Sequence, residues 1–445
     1  MFSHTYRGFC TLQKRFTPQQ AQAWFEKQGV KLKTEPDGRM FPVTDSSQTV
    51  IDALLSAASV GDIVDIRKRQ KVLDVKLSDT RSLSSAPFSI SLQVKEGDSK
   101  QVRSEAFDAV ILASGSAPAG YQLAQSILEQ SSAMEDKPTT KRTDTLVAPV
   151  PSLFTMNTKN DISEEGTLLY GLAGVSVPKA RVTFCPEEQE KIIIHKASES
   201  EDPMAKKEQK RPKRPSAHLQ QEGPLLVSHH GVTGPAVLRL SAFGARDFHK
   251  VNYRGTLRIH WAPDLGSVDD IAELLWKMKQ TNPKRMLVTG CPLSVTATLK
   301  DSSAADSLSN ANLESALKPG FVQKVIAAIP KRLWSSLIIN TCEIDPTVTW
   351  AEVNKKAVRK LATAIADCKL QVTGKGTFKE EFVTAGGVSL KNIDMRTMMS
   401  KSCKGFFLCG EVINVDGVTG GFNFINCWGT GHVAGTNAID YVLNR

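Results

Sequence analysis

The stretch from Gly410 to Asn423 restricts the possible folds more than any other part of the chain. It reads Gly410-Glu411-Val412-Ile413-Asn414-Val415-Asp416-Gly417-Val418-Thr419-Gly420-Gly421-Phe422-Asn423. A short apolar run, Phe406-Phe407-Leu408-Cys409, leads into it, and a segment with helical character follows from about Asn423 through Ala438. A buried strand ending in Gly-Glu delivers a carboxylate to the edge of a cleft. Glycines let the backbone approach a flat ring or a phosphate closely. The free N–H groups at the start of the next helix stabilise negative charge. A second strand of the same kind, Phe107 to Leu112, runs into Ala113-Ser114-Gly115. Apolar runs ending in small residues suit central parallel strands, and open α/β sheets place ligands at the carboxyl ends of such strands. The fold class expected is therefore α/β. The plain alternative is a glycine-rich connection from strand to helix that holds nothing.

A chain of 445 residues has room for two or three domains. No apolar run reaches the roughly 18 residues of a membrane-spanning helix, so no membrane partner is expected. The net charge of +10 is concentrated in Lys206 to Arg214. That cluster reads as a solvated basic loop within a disordered insertion spanning 196–218, and nucleic-acid binding does not follow from it. Aromatic residues do not interleave with it, so no base-stacking platform is visible there. The eight cysteines include no C-x-x-C pair, which removes zinc-ribbon and thioredoxin-type sites. No metal site is expected, and scattered thiols suit an intracellular compartment, cytoplasmic or organellar. Met1 to Phe25 lacks acidic residues and superficially resembles a transit peptide. Thr17-Pro18-Gln19-Gln20 nevertheless has the form of a helix start.

Further along, the pattern predicts a hairpin around Asp37-Gly38. Thr44-Asp45-Ser46 caps a helix with Val50, Ile51, Leu54 and Leu55 on one side. Residues 63–112 read as a strand meander with turns at Ser78 to Ser91 and at Glu96-Gly97-Asp98. Pro149-Val150-Pro151 marks a domain boundary. Strands are expected at Leu168 to Leu172 and Ala180 to Phe184. Helices are expected at Asp269 to Met278, at Phe321 to Ile338 with a break at Pro330, and at Trp350 to Ala366.

Several motifs in fixed order resemble those of the HI0933/YhiN-like, bile-acid-reductase-like NAD(P)/FAD-dependent oxidoreductase family. They are Gly38-Arg39-Met40-Phe41-Pro42-Val43-Thr44-Asp45, Ala113-Ser114-Gly115, Gly171 to Val177, His229 to Pro235, Val383-Thr384-Ala385-Gly386-Gly387-Val388 with Ile393-Asp394, Gly410 to Asn423, and Gly431 to Gly435. The resemblance covers nearly the whole chain. It implies a Rossmann-like flavoprotein domain built from 1–147 and 376–445, with an α+β substrate domain at 148–375 inserted. It also implies FAD as cofactor, NAD(P)H as electron donor, and hydride transfer to an unsaturated or carbonyl small molecule.

One departure matters. The family opens with a strand, a G-x-G-x-x-G turn and a helix, and this chain shows no such segment. The expectation is an N-terminally incomplete or naturally short form lacking the turn that holds the FAD pyrophosphate. Gly429-Thr430-Gly431-His432-Val433-Ala434 mimics the turn but falls inside the final helical stretch. The expected flavin contacts are Ala113, Ser114, Gly115, Gly410, Glu411, Asp416, Gly420, Gly421, Phe422 and Asn423. His229 is the candidate proton donor, because imidazole titrates near neutral pH. Arg39 is the candidate for an anionic substrate or a nicotinamide phosphate. The competing reading is a truncated flavoprotein fold serving as an RNA- or protein-binding module without catalysis.

Overall fold

The computed structural model describes residues 16–35, 38–78, 86–96, 99–134, 145–159, 165–186, 217–289, 329–376, 383–418 and 420–445. The chain forms two compact units, Met1–Val150 with Val383–Arg445, and Pro151–Phe382.

In the first unit, the helix Pro18–Lys27 starts as its sequence requires. The Gln20 backbone N–H donates to Thr17 Oγ1 at 3.1 Å, and the Thr17 N–H donates to Gln20 Oε1 at 2.7 Å. This reciprocal box satisfies two N–H groups that the helix itself cannot. Phe25 on its buried face meets the Trp428 ring edge-on at 4.8 Å. The hairpin pairs Leu32–Thr34 with Met40–Pro42. Gly38 follows at φ 84°, and Asp37 lies outside the described residues. Ser46 caps the helix Ser47–Ala58 as expected. Of its expected inner face, Val50 packs against Phe25, Val30 and Ala53, whereas Ile51, Leu54 and Leu55 are at least 40% exposed.

The meander forms an antiparallel sheet of Gln70–Leu77, Phe88–Glu96 and Ser99–Phe107. Phe88 to Ser91 therefore belongs to a strand rather than to the serine-rich turn, because Phe88 is wholly buried in the core. The helix Pro118–Met134 is fastened to this sheet by Gln130. Its amide accepts from Leu77 N at 3.1 Å and donates to Val75 O at 2.9 Å. A second sheet runs Ile393–Asp394, Met399–Ser400, Phe406–Leu408, Val110–Leu112, and its last pair is parallel. Phe406, Phe407 and Leu408 are buried with Tyr121, Ala124 and Ile127. Each such aromatic or aliphatic side chain contributes about 1.5–3 kcal/mol by leaving water. The final helix, Gly420–Leu443, is longer than its sequence pattern suggests. It contains the Gly429 to Ala434 mimic, which is therefore not a phosphate turn.

The second unit is a closed six-stranded barrel. Its strands are Met156–Thr158, Ser176–Pro186, Gln220–Ser228, Gly231–Thr233, Gly255–His260 and Cys368–Lys375. Helices Pro235–Phe243, Val268–Thr281 and Lys355–Ala366 share its core. Leu168 to Leu172 is a turn, not a strand. Its leucines are apolar because Leu168, Leu169 and Leu172 enter the barrel core, and Gly171 at φ 66° reverses the chain there. Trp350 likewise precedes its helix, which starts only after Asn354, whose side chain caps the Ala357 N–H at 2.9 Å. Of the segment Phe321 to Ile338, residues from 329 onward are described, and a helix begins directly after Pro330. The basic run Lys206 to Arg214 and most of the insertion around it lie outside the described residues.

Candidate cofactor site

The parallel pairing of Phe406–Leu408 with Val110–Leu112 places two strand ends side by side. The Val110 N–H donates to Gly405 O at 2.9 Å, and the Cys409 N–H donates to Leu112 O at 3.1 Å. Ala113-Ser114-Gly115 and Gly410-Glu411 therefore leave the sheet together. Gly115 at φ 61° and Gly410 at φ 76° turn both chains through left-handed backbone, which side chains disfavour.

The final helix closes over these ends with one polar face. The Gly410 N–H donates to Thr430 Oγ1 at 2.9 Å, and the Thr430 hydroxyl donates to Asn426 O at 2.6 Å. The Gly417 N–H donates to Asn423 Oδ1 at 2.8 Å, and Asn423 Nδ2 returns to Gly417 O at 3.4 Å. Asn423 and Thr430 thus fix the two ends of the loop from Gly410 to Gly417. Asn426 lies three residues after one and four before the other, on the same helix face.

Asn426 is 4% exposed, and neither its amide N nor its amide O has a hydrogen-bond partner among the described residues. A carboxamide offers two donors and an acceptor. Leaving it unpaired in the interior costs about 1–3 kcal/mol. The Ser114 hydroxyl is a second buried group without a partner among those residues. It packs against Gly120, where any added Cβ would collide with it.

Burial raises the Glu411 carboxyl above the ordinary glutamate value. Tyr121 donates to Glu411 O at 3.5 Å, and its phenol is raised first by burial and then by the Glu411 charge. Burial also pushes the Cys409 and Cys427 thiols up to about 11. Both are protonated at neutral pH, so neither offers a thiolate nucleophile.

Parallel pairing sets Ala113, Ser114 and Gly115 beside Gly410 and Glu411, and Asn423 joins the same loop through Gly417; Gly420, Gly421 and Phe422 open the final helix, with Phe422 47% exposed. Asp416 sits part-buried on the same loop. The other two residues singled out in the sequence are Arg39 and His229. Arg39 is on the early hairpin, its guanidinium 5.7 Å from the centre of the Phe41 ring. His229 is exposed at the tip of the Gln220–Ser228 and Gly231–Thr233 hairpin in the barrel unit. Asn426, Thr430 and Tyr121 were not singled out. The 3-and-4 spacing of Asn423, Asn426 and Thr430 in an otherwise apolar helix is the signal that could have found the first two.

The residues present fit a flavin in one respect: the buried Asn426 amide, on the helix face that binds the Gly410 to Gly417 loop, is left without a partner among the described residues, and such a group suits the polar edge of a flat heterocycle. The described residues contain no cluster able to hold a metal ion, and no described helix is long and apolar enough to cross a membrane.

The comparisons with known proteins point the same way. The HI0933-like protein Rossmann domain matches residues 5–437. The ribosomal RNA dihydrouridine synthase of Haemophilus influenzae is 26% identical over 47% of this chain and 40% of its own length. A protein of the same name from Escherichia coli is 25% identical over 46% of this chain and 39% of its own length. The 3-dehydro-bile acid delta(4,6)-reductase of Clostridium scindens is 29% identical over 25% of this chain and 27% of its own length. The matches therefore span well under half the length of these curated relatives. With a family match reaching across almost the entire sequence, and with the paired strand ends and glycine turns of an α/β ligand site, the chain belongs to the HI0933-like Rossmann family of FAD-binding, oxidoreductase-type proteins.

Proposed function

We propose that the protein is an FAD-dependent reductase of an electron-poor carbon–carbon double bond, with NAD(P)H as the electron donor. The observation that carries this reading is the orphaned Asn426 amide, on the helix face whose Asn423 and Thr430 bind the loop that leaves the strand Phe406–Leu408. Two of the relatives support the class of reaction. One is named for forming dihydrouridine, the other for reducing a bile acid at its 4 and 6 positions, and both names describe loss of a double bond.

FAD, when bound, supplies the hydride-carrying centre. The chain's own residues orient and shield it. Asn426 offers donors and an acceptor to the polar edge of the ring. The opening N–H groups of the final helix, at Gly420 and Gly421, favour negative charge there. Buried Phe407, Val412 and Ile413 exclude water from the strand ends. Glu411, raised by burial, is the candidate group for holding a proton there. Arg39 and His229 remain candidates for substrate contact.

The first test is the absorbance spectrum of the purified chain, followed by anaerobic addition of NADPH or NADH. Flavin bands at about 375 and 450 nm, bleached by either nucleotide, are expected. A chain that stays colourless, also when expressed with whatever coding sequence precedes Met1, overturns the reductase reading and leaves a binding role.

A further inference from the structure

The barrel unit carries a basic groove that the reading above does not use. The helix Lys355–Ala366 buries Val358, Leu361, Ala362 and Ile365. On its other side Lys356, Arg359, Lys360 and Thr363 recur at helical spacing and line a cavity of about 870 Å³. Lys369 joins them from the strand Cys368–Lys375. Three carboxylates already use part of this charge. Arg359 pairs with Asp269, and Lys360 lies 3.6 Å from Glu343. Asp367, the one carboxylate among the described wall residues, is held by Arg258 at 2.6 Å. Lys356 and Lys369 are exposed and have no partner among the described residues. The start of the helix adds to the excess. Its first turn opens Lys355-Lys356 and holds no acidic residue, although helix starts carry partial positive charge and favour acidic side chains. The helix Val268–Thr281 has Asp269 and Asp270 in that place.

The layout of the charge selects among anions. Lys356 and Lys360 stand four residues apart, about 6 Å along the helix axis. These cations are strung along a groove and do not converge on one point, as they would around a single phosphate. Alternate side chains of an extended peptide lie about 6.6 Å apart on one side, close to that spacing. Each ion pair already present joins one carboxylate to one cation. The pairs of Arg359 and Lys360 use the exposed carboxylates of Asp269 and Glu343, and exposed pairs of this kind exchange partners at little cost. The groove also offers an acceptor. Asn340, in its wall, donates from Nδ2 to Thr167 O and to Ser336 Oγ, both at 3.0 Å. These bonds fix the carboxamide and leave its oxygen without a partner among the described residues. A peptide N–H donates to such an oxygen, whereas an ionised phosphate offers acceptors only.

We infer that this groove binds an extended acidic peptide segment of a partner protein. Carboxylates at alternate positions lie on Lys356 and Lys360, another lies on Lys369, and one backbone N–H donates to Asn340. The inference does not depend on the reductase reading.

The test is fluorescence anisotropy of the full chain with an end-labelled octapeptide that alternates Glu and Ser, at low salt. Binding is expected, and it is expected to weaken as salt is added. The same peptide with Gln for Glu should bind about tenfold more weakly, as should the original peptide to the Lys356→Gln with Lys369→Gln variant. Glu343→Gln should strengthen binding about threefold, because it releases Lys360 from its exposed partner. All three altered side chains are exposed, so unchanged thermal melting confirms intact folding. No binding, undiminished affinity in the double variant, or equal affinity for the Gln peptide overturns the proposal. So does affinity lost only when Lys206 and Lys207 are replaced, which would move the peptide to the basic insertion. Inorganic triphosphate that displaces the labelled peptide at a lower concentration than the unlabelled peptide does overturns it in favour of a phosphate anion. Equal affinity for a peptide with its Glu residues contiguous overturns the extended, alternate arrangement. A colourless chain that binds the peptide as described refutes the reductase and leaves the groove standing.

Discussion

Two helices of this protein carry polar stripes at the same spacing and use them in opposite ways. In Gly420–Leu443 the stripe is Asn423, Asn426 and Thr430, all neutral and all buried. In Lys355–Ala366 it is Lys356, Arg359, Lys360 and Thr363, all exposed and mostly charged. Spacing alone therefore does not tell what a stripe is for. A buried neutral amide acts through short directional bonds, and leaving it unpaired is costly. An exposed ammonium acts at longer range and is screened by salt. A stripe of the first kind is suited to orienting a rigid polar group, and one of the second kind to attracting anions from a distance.

The sharpest way to break this contrast is Asn426→Leu. Removing an amide that the protein itself leaves unpaired is expected to raise stability by about 1 kcal/mol while flavin affinity falls about 10- to 100-fold. Thermal melting and flavin release on dilution measure the two effects. A stability loss with flavin retained would show that Asn426 is an ordinary packing residue. On the other stripe, Lys356→Gln with Lys369→Gln changes two exposed side chains, and flavin content and thermal melting are both expected to stay at the parent's values.

Gly410→Val places a β-branched residue at φ 76°. The expected cost is about 1–3 kcal/mol in urea unfolding, with loss of the bond to Thr430. The smallest effect concerns pH. Glu411 is raised in the folded state, so its protonated form is favoured there. Its contribution is complete below the ordinary glutamate value and is lost as pH rises through the raised one. Glu411→Gln should flatten the fall in stability above that range and leave the variant more stable than the parent at neutral pH. Parallel pH profiles for the two proteins would remove Glu411 from the buried site.

What the sequence revealed depended on how local the cause was. The Thr17 N-cap and the cap within Thr44-Asp45-Ser46 are set by neighbours a few residues away, and both formed as read; the reciprocal bond from Gln20 that makes the first a capping box was not read. The glycine mimic inside the final helix was also recognisable, because an uninterrupted helical pattern surrounds it. Leu168 to Leu172 misled because its leucines answer to a barrel core assembled from distant strands, and a buried turn looks as apolar as a buried strand. Trp350 extended its helix on paper because a side chain buried under a loop counts the same in a periodicity as one on a helix. Asn426 was overlooked for a related reason. Whether a buried amide finds a partner is decided by the packing around it, and an unmet hydrogen bond leaves no trace in composition. Arg39 and His229 were chosen from motif resemblance; the first stands on the early hairpin and the second at a hairpin tip of the barrel unit.

The division of the first unit between the two ends of the chain has a consequence for synthesis. On the ribosome, Met1–Val150 emerges long before its partner strand Phe406–Leu408 exists, so Val110–Leu112 waits with that edge unpaired. The barrel, encoded without interruption from Pro151 to Phe382, can close in the meantime as a domain folding by itself. Only when the final helix is released can Trp428 meet Phe25 and Thr430 meet Gly410. The step that completes the core is thus the same step that builds the candidate cofactor site, and a nascent chain lacking its last residues would have neither.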